Sequence, residues 1–213
     1  MLLCALSNAN ESVLYLKYTR NVVDPDGKSW IRTGHGSGTV VDLSEFGFTE
    51  KNLVLTARHV IEDSDDNYTE DNGNKIKIKV IYKDRFFDFA LVQLITDKEF
   101  KAVKLSPSNS ITIGQSYTYE GFPKGVHRES SGTVKYLHPI GYEYVANCEG
   151  FFHGWSGGAV LDNHGLVGIC TGMEHANEHP KGVPDRCVFL PIERIKQILL
   201  FYKFTLNSGV SKL

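Results

Sequence analysis

Between Ser12 and Leu190 the apolar residues never settle into a helical period. They come in eleven runs of three to eight residues, at 12–18, 38–42, 53–56, 75–82, 89–95, 117–121, 132–137, 143–148, 159–161, 166–171 and 187–190. Clusters of Gly, Asn, Asp, Ser and Pro separate them. Strands this short cannot bury an apolar face alone, so they must pair, and many of them joined by glycine-rich turns point to sandwiches or barrels. From Lys75 to Val80 lysine alternates with Ile and Val, as in a strand with one wet face, and lysine there suits a sheet edge.

Only the end of the chain changes habit. Pro191 opens a segment in which Ile192, Ile195, Ile198, Leu199 and Tyr202 recur at helical spacing, predicting an amphipathic helix over 191–203 that packs back on the body. The polar stretch 104–112, with Pro107 inside it, reads as a linker. The seam then falls near Ser108, giving an N-terminal unit at 1–108 and a C-terminal unit at 109–213, with no residue-level repeat between them. The acidic run 62–71, EDSDDNYTED, reads as a solvated loop, with calcium binding through its carboxylates the lesser alternative.

At 213 residues and 41% hydrophobic content the chain can fill one core, or two small ones packed as a unit. A net charge of -2 supplies no broad pull toward nucleic acid or an anionic membrane, so neither is expected as a partner. The N-terminal apolar run is short and has no positive charge ahead of it, a poor match to a signal peptide, and no stretch approaches a membrane span. Four irregularly spaced cysteines, Cys4, Cys148, Cys170 and Cys187, do not make a disulfide framework. A soluble protein in a reducing, intracellular setting is the expectation. Ser211-Lys212-Leu213 matches a peroxisomal address if the C-terminus is native and the host eukaryotic; a chance match or a processed polyprotein end is the alternative.

The chemistry gathers around Ser156, set in Gly154-Trp155-Ser156-Gly157-Gly158. A serine between glycines is ordinarily a turn, and its hydroxyl attacks nothing unless a base and an orienting group stand beside it. His59 follows an apolar strand, where its imidazole can accept and return a proton near neutrality. Asp88 interrupts the apolar run 86–94, and a carboxylate there needs either water or a partner such as a histidine N–H. The N–H groups of Gly154 and Ser156 are candidates for an oxyanion hole. Each feature alone is weak; the order histidine, aspartate, serine changes the weighing.

The ordered set resembles the trypsin/chymotrypsin family of serine proteases over nearly the whole chain. Gly36-Ser-Gly-Thr-Val-Val41 is similar to the strand before the family's histidine, Thr56-Ala-Arg-His59 to the histidine signature, and Asp88-Phe-Ala-Leu91 to the aspartate signature. Gly154 to Gly158 resembles the serine signature, and Gly165-Leu-Val-Gly-Ile169 the strand lining the specificity pocket. The resemblance implies an all-β fold: two six-stranded antiparallel β-barrels of the chymotrypsin type, with a C-terminal α-helix. His59 and Asp88 would come from the first barrel and Ser156 from the second. The compact loops and the lack of a disulfide beside the histidine look closer to intracellular high-temperature-requirement-type or viral proteases than to secreted digestive ones.

Two departures qualify the resemblance. Trp155 stands where secreted members carry an aspartate that receives a freed N-terminus, so no activation by N-terminal trimming is expected. Gly150 falls about where basic-specific members place a pocket-floor acid, and Phe151, Phe152, His153, Thr171, Gly172 and Met173 would line or flank the pocket. That set leans toward an apolar, aromatic or amide side chain of a protein or peptide substrate.

Cys170, His175, His179 and Cys187 have a spacing compatible with zinc, but strand cysteines more often act as small buried hydrophobes and loop histidines are usually solvated. No cofactor is called for. The functional expectation is a serine endopeptidase working through an acyl-enzyme; the alternative is a catalytically silent binding module on the same scaffold. An esterase of the nucleophile-elbow type would need serine before aspartate before histidine and alternating strands and helices, and both requirements fail.

Overall fold

The computed structural model describes residues 12–62, 64–107, 111–138, 142–148, 150, 153–174 and 186–207. Six strands, β1 (Val13–Val23), β2 (Ser29–Val41), β3 (Leu53–Thr56), β4 (Asp66–Asp71), β5 (Asn74–Lys83) and β6 (Ala90–Ile95), close an antiparallel barrel in the order β1-β2-β3-β6-β5-β4. A second barrel closes from β7 (Ser116–Gly121), β8 (Arg128–Leu137), β9 (Tyr144–Cys148), β10 (Ala159–Leu161), β11 (Leu166–Glu174) and β12 (Arg186–Pro191). Its order, β7-β8-β9-β12-β11-β10, repeats that of the first. The halves share a wiring diagram without sharing a residue pattern.

Inward-facing residues explain the barrels. Leu16, Val40, Val54, Val92 and Leu94 fill the first, while Tyr119, Val134, Val160, Val167 and Phe189 fill the second. Three thiols, of Cys148, Cys170 and Cys187, lie fully buried in the second core, with Cys170 Sγ and Cys187 Sγ 3.8 Å apart. Burial pushes the Cys187 thiol well above its ordinary range. A third cluster joins the barrels, running from Leu43, Leu53 and Phe89 to Ala159, Ile169 and Leu190.

The predicted terminal helix is α2 (Ile192–Asn207). Ile192, Ile195 and Leu199 sink into the joining cluster, and Tyr202 donates to the carbonyl of Ile81 at 3.2 Å, so the helix braces both barrels. The connecting segment is stitched to each side: Val103 N–H donates to Val40 O at 2.9 Å, and Ser106 N–H to Leu166 O at 2.9 Å. The expected seam at Ser108 lies outside the described residues.

Two expectations are corrected. The acidic run was expected to be a loop, yet Asp66–Asp71 forms β4, pairing with β1 and β5. Its charges are met from neighbouring elements: Lys75 pairs with Asp66, Lys17 with Glu70 at 2.7 Å and Lys98 with Asp71 at 2.7 Å. Strand β5, whose lysines suggested an edge, is flanked on both sides by β4 and β6. Closure leaves it no edge to guard. Strands β1 and β2 also run further than their apolar patterns, because their outer halves pair only with each other around the turn at Gly27, which has φ of 79°.

Candidate active site

Strand β3 delivers the chain into α1 (Arg58–Ile61), a single turn that begins at Ala57, whose backbone is still extended (φ −70°, ψ 139°). Val60 and Ile61 are buried there, which leaves His59 on the outer side with half of its side chain accessible. Asp88 meets it at two points: Oδ2 lies 2.6 Å from the ring nitrogen Nδ1, and Oδ1 accepts the His59 backbone N–H at 3.0 Å. A carboxylate only accepts, so Nδ1 carries a proton, and in the neutral imidazole the lone pair is then on Nε2. From the sequence Asp88 faced either water or a partner such as a histidine N–H; in the structure it accepts from His59.

Asp84, four residues earlier, shapes the loop that carries Asp88. Its Oδ1 accepts the N–H groups of Phe86 and Phe87 at 2.8 and 2.7 Å, and its Oδ2 accepts the Tyr82 hydroxyl at 2.6 Å. Burial, reinforced by that carboxylate, pushes the Tyr82 phenol upward. Arg58 Nη1 donates to the Asp84 carbonyl at 2.9 Å, tying the aspartate loop to the histidine turn.

The serine loop is held from both barrels. Within its own, Gly157 N–H donates to Cys170 O at 2.7 Å, Cys170 N–H to Gly158 O at 2.9 Å, and Gly158 N–H to Trp155 O at 2.8 Å. From β2 come the Ser37 hydroxyl to Gly154 O at 2.6 Å, the Ser37 N–H to Ser156 O at 2.7 Å, and the Thr39 hydroxyl to Gly157 O at 3.2 Å. Every carbonyl from Gly154 to Gly158 is therefore occupied. Among the described residues, nothing accepts from the N–H groups of Gly154 and Ser156.

Gly154 (φ 105°) and Gly157 (φ 83°) adopt backbone angles that side chains rarely reach, and both are crowded. A Cβ on Gly157 would overlap the Ser37 carbonyl and the Thr56 hydroxyl, and one on Gly36 would fall 3.1 Å from Ser156 O and against Val60. The Ser156 carbonyl thus lies against β2 at Gly36, a position that Val60, next to His59, also approaches. Trp155 is 1% exposed, anchored in the second core.

Around the serine, the pocket expectations divide. Phe151 and Phe152 lie outside the described residues, as do His175 and His179 of the zinc-compatible set, whose Cys170 and Cys187 are core thiols. Gly150 lines a cavity of about 410 Å³ with Trp155, Pro123, Lys124 and Arg128. The His153 carbonyl accepts the Lys124 N–H at 3.4 Å. Thr171 donates to Val188 O at 3.3 Å, a Cβ on Gly172 would meet only open space, and Met173 packs on the second core.

Sequence reasoning gave no role to Ser37, Thr39, Asp84 or Glu143. Asp84 carried a readable signal, an aspartate two and three residues before the amides it binds, as in an Asx turn. Ser37 and Thr39 act on groups 117 and 118 residues away, which no local pattern reveals. Glu143 lies near Thr171 and Asp88; burial raises its pKa, the Thr171 hydroxyl opposes that, and the Asp88 charge adds to it.

Residues 36–169 match the trypsin-like peptidase domain family. The chain is 32% identical over 148 residues to the periplasmic serine endoprotease DegP of Salmonella typhimurium, covering 65% of this chain and 30% of that protein. DegP of Escherichia coli K12 is 30% identical over the same shares. A probable periplasmic serine protease do/HhoA-like of Haemophilus influenzae is 32% identical over 150 residues, 66% of this chain and 31% of that protein. The chain therefore spans about 30% of the length of these relatives. With a family match over residues 36–169 and two six-stranded barrels of matching wiring, the chain belongs to the trypsin-like peptidase family.

Proposed function

We propose that the chain is a serine endopeptidase in which Ser156 is the nucleophile, His59 the general base and acid, and Asp88 the group that orients His59. The observation carrying this reading is the two-point contact between Asp88 and His59, which engages Nδ1 and so leaves Nε2 as the acceptor in the neutral imidazole. In this scheme Ser156 Oγ attacks the scissile carbonyl carbon while its proton passes to His59 Nε2. The C–N bond then breaks as that proton moves to the leaving amine, and water repeats the cycle on the acyl-enzyme ester. The N–H groups of Gly154 and Ser156, unclaimed among the described residues, would hold the oxyanion.

The substrate is proposed to be a protein or peptide whose side chain enters a pocket flanked by Gly150, Phe151, Phe152, His153, Thr171, Gly172 and Met173. No acid stands at Gly150, which supports an apolar, aromatic or amide side chain over a basic one. Division into units at 1–108 and 109–213 fits a cleft fed by both. A fluorophosphonate probe tests the reading: the folded wild type should be labelled at neutral pH and Ser156→Ala should not. A folded wild type that stays unlabelled, and cleaves nothing in a peptide library, would favour the silent binding module.

A further inference from the structure

We infer that Ser37 is a positioning residue that sets the oxyanion hole from the opposite barrel; the inference rests on the proposed roles of the Gly154 and Ser156 N–H groups. Ser37 is fully buried in β2. Its hydroxyl has one arrangement open to it. A carbonyl oxygen cannot donate and an amide nitrogen cannot accept, so the proton goes to Gly154 O at 2.6 Å and the lone pair receives the Phe122 N–H at 2.9 Å. Its own N–H holds Ser156 O at 2.7 Å, and its carbonyl is held by the Thr56 hydroxyl at 2.7 Å.

The two N–H groups lie in the planes of His153 O and Trp155 O, held by the N–H groups of Lys124 and Gly158; the Ser37 bonds hold the next plane on from each, at Gly154 O and Ser156 O, and so limit rotation about Gly154 and Ser156. In a planar trans peptide the carbonyl and the N–H point in opposite directions, so anchoring one oxygen orients the whole unit. Ser37 anchors the carbonyl on the far side of Gly154 and that of Ser156, while the Lys124 N–H anchors the His153 carbonyl and thereby turns the Gly154 N–H away from Lys124. Gly154 has no side chain to resist rotation, and at φ 105° it sits where a Cβ would meet Phe122 O, Pro123 and His35, so these bonds and that close fit restrain the backbone around it. Without the Ser37 hydroxyl, Gly154 O and the Phe122 N–H both lose their partner in a buried setting, and the loop must turn to find others.

The test uses the intact chain with Ser37→Ala and the near-isosteric, weaker donor Ser37→Cys. Peptide turnover by Ser37→Ala is expected to fall about 10- to 100-fold in kcat with KM within about threefold, less than loss of an oxyanion donor itself. Ser37→Cys should fall between Ser37→Ala and wild type. Amide hydrogen exchange should quicken about tenfold across 153–158 and stay unchanged in β8 and β9. Exchange at 153–158 equal to wild type, or kcat within threefold of wild type, would overturn the inference even where the wild type is an active peptidase. A folded wild type that neither labels nor cleaves would overturn the peptidase reading instead, and amide exchange in the two variants would then decide the role of Ser37. Should Ser37→Ala not fold, Ser37→Cys carries both readouts.

Discussion

Asp88 holds His59 twice, by the ring Nδ1 at 2.6 Å and by the backbone N–H at 3.0 Å, so one carboxylate fixes the tautomer, the tilt and the position of the imidazole together. The second contact separates orientation from charge. An amide in place of the carboxylate has one oxygen, so keeping it for the backbone N–H turns the NH2, a donor, toward the ring.

Asp88→Asn is therefore expected to fold nearly as the wild type while turnover of a peptide substrate falls about four orders of magnitude, the size seen when such a carboxylate becomes an amide elsewhere. Circular dichroism and kcat measured together check it. Near-normal turnover would take Asp88 out of the proposed mechanism.

Asp84→Ala leaves the amides of Phe86 and Phe87 and the Tyr82 hydroxyl without their acceptor, at a site 5% exposed. A loss of about 2–4 kcal/mol in urea unfolding is expected, with a fall in kcat because the loop also carries Asp88. Tyr82→Phe removes one of the three bonds and should cost only about 1 kcal/mol.

Glu120 supplies a pH signature. It is 5% exposed, and its Oε2 lies 3.6 Å from His127 Nε2, beyond a good hydrogen bond. Burial, with the charge of Glu129 adding to it, raises its pKa from 4.5 to about 7, while burial lowers that of His127 and Glu129 partly opposes the change. Between those two pH values the folded carboxyl keeps a proton that the unfolded one has lost, so its contribution to stability falls as pH rises through the window. Glu120→Gln, neutral throughout, should unfold several degrees above wild type at pH ~8, a gap worth on the order of 1–3 kcal/mol, and about level with it at pH ~5. A constant gap at both pH values would contradict this.

Gly157→Ala is expected to abolish probe labelling and to cost at least about 2 kcal/mol, since its Cβ would overlap the Ser37 carbonyl and the Thr56 hydroxyl from a left-handed backbone. Labelling at the wild-type rate would show that the loop can shift without harm.

Legibility in the sequence followed locality. Alternation marked β5, short apolar runs between turn residues marked β6 and β11, and the spacing of Ile192, Ile195 and Leu199 marked α2, because each pattern reports one element's own burial. Strand β4 was hidden because its acids are neutralised by Lys17, Lys75 and Lys98 from other elements, and composition alone made it resemble a loop. His59, Asp88 and Ser156 were singled out through the residues beside them, and the structure sets Asp88 against His59. The clamp of Ser37 on Gly154 was not, since a serine in a glycine-rich strand gives no sign of what faces it after two barrels have docked.

The sealed thiols of Cys148, Cys170 and Cys187 give the second barrel a built-in reporter. Among the described residues the first barrel has no sulfhydryl, so an alkylating reagent can reach these groups only when β9, β11 and β12 part company. Reagent uptake over time at these three positions, read apart from Cys4, would then act as a stopwatch for breathing in that half of the molecule.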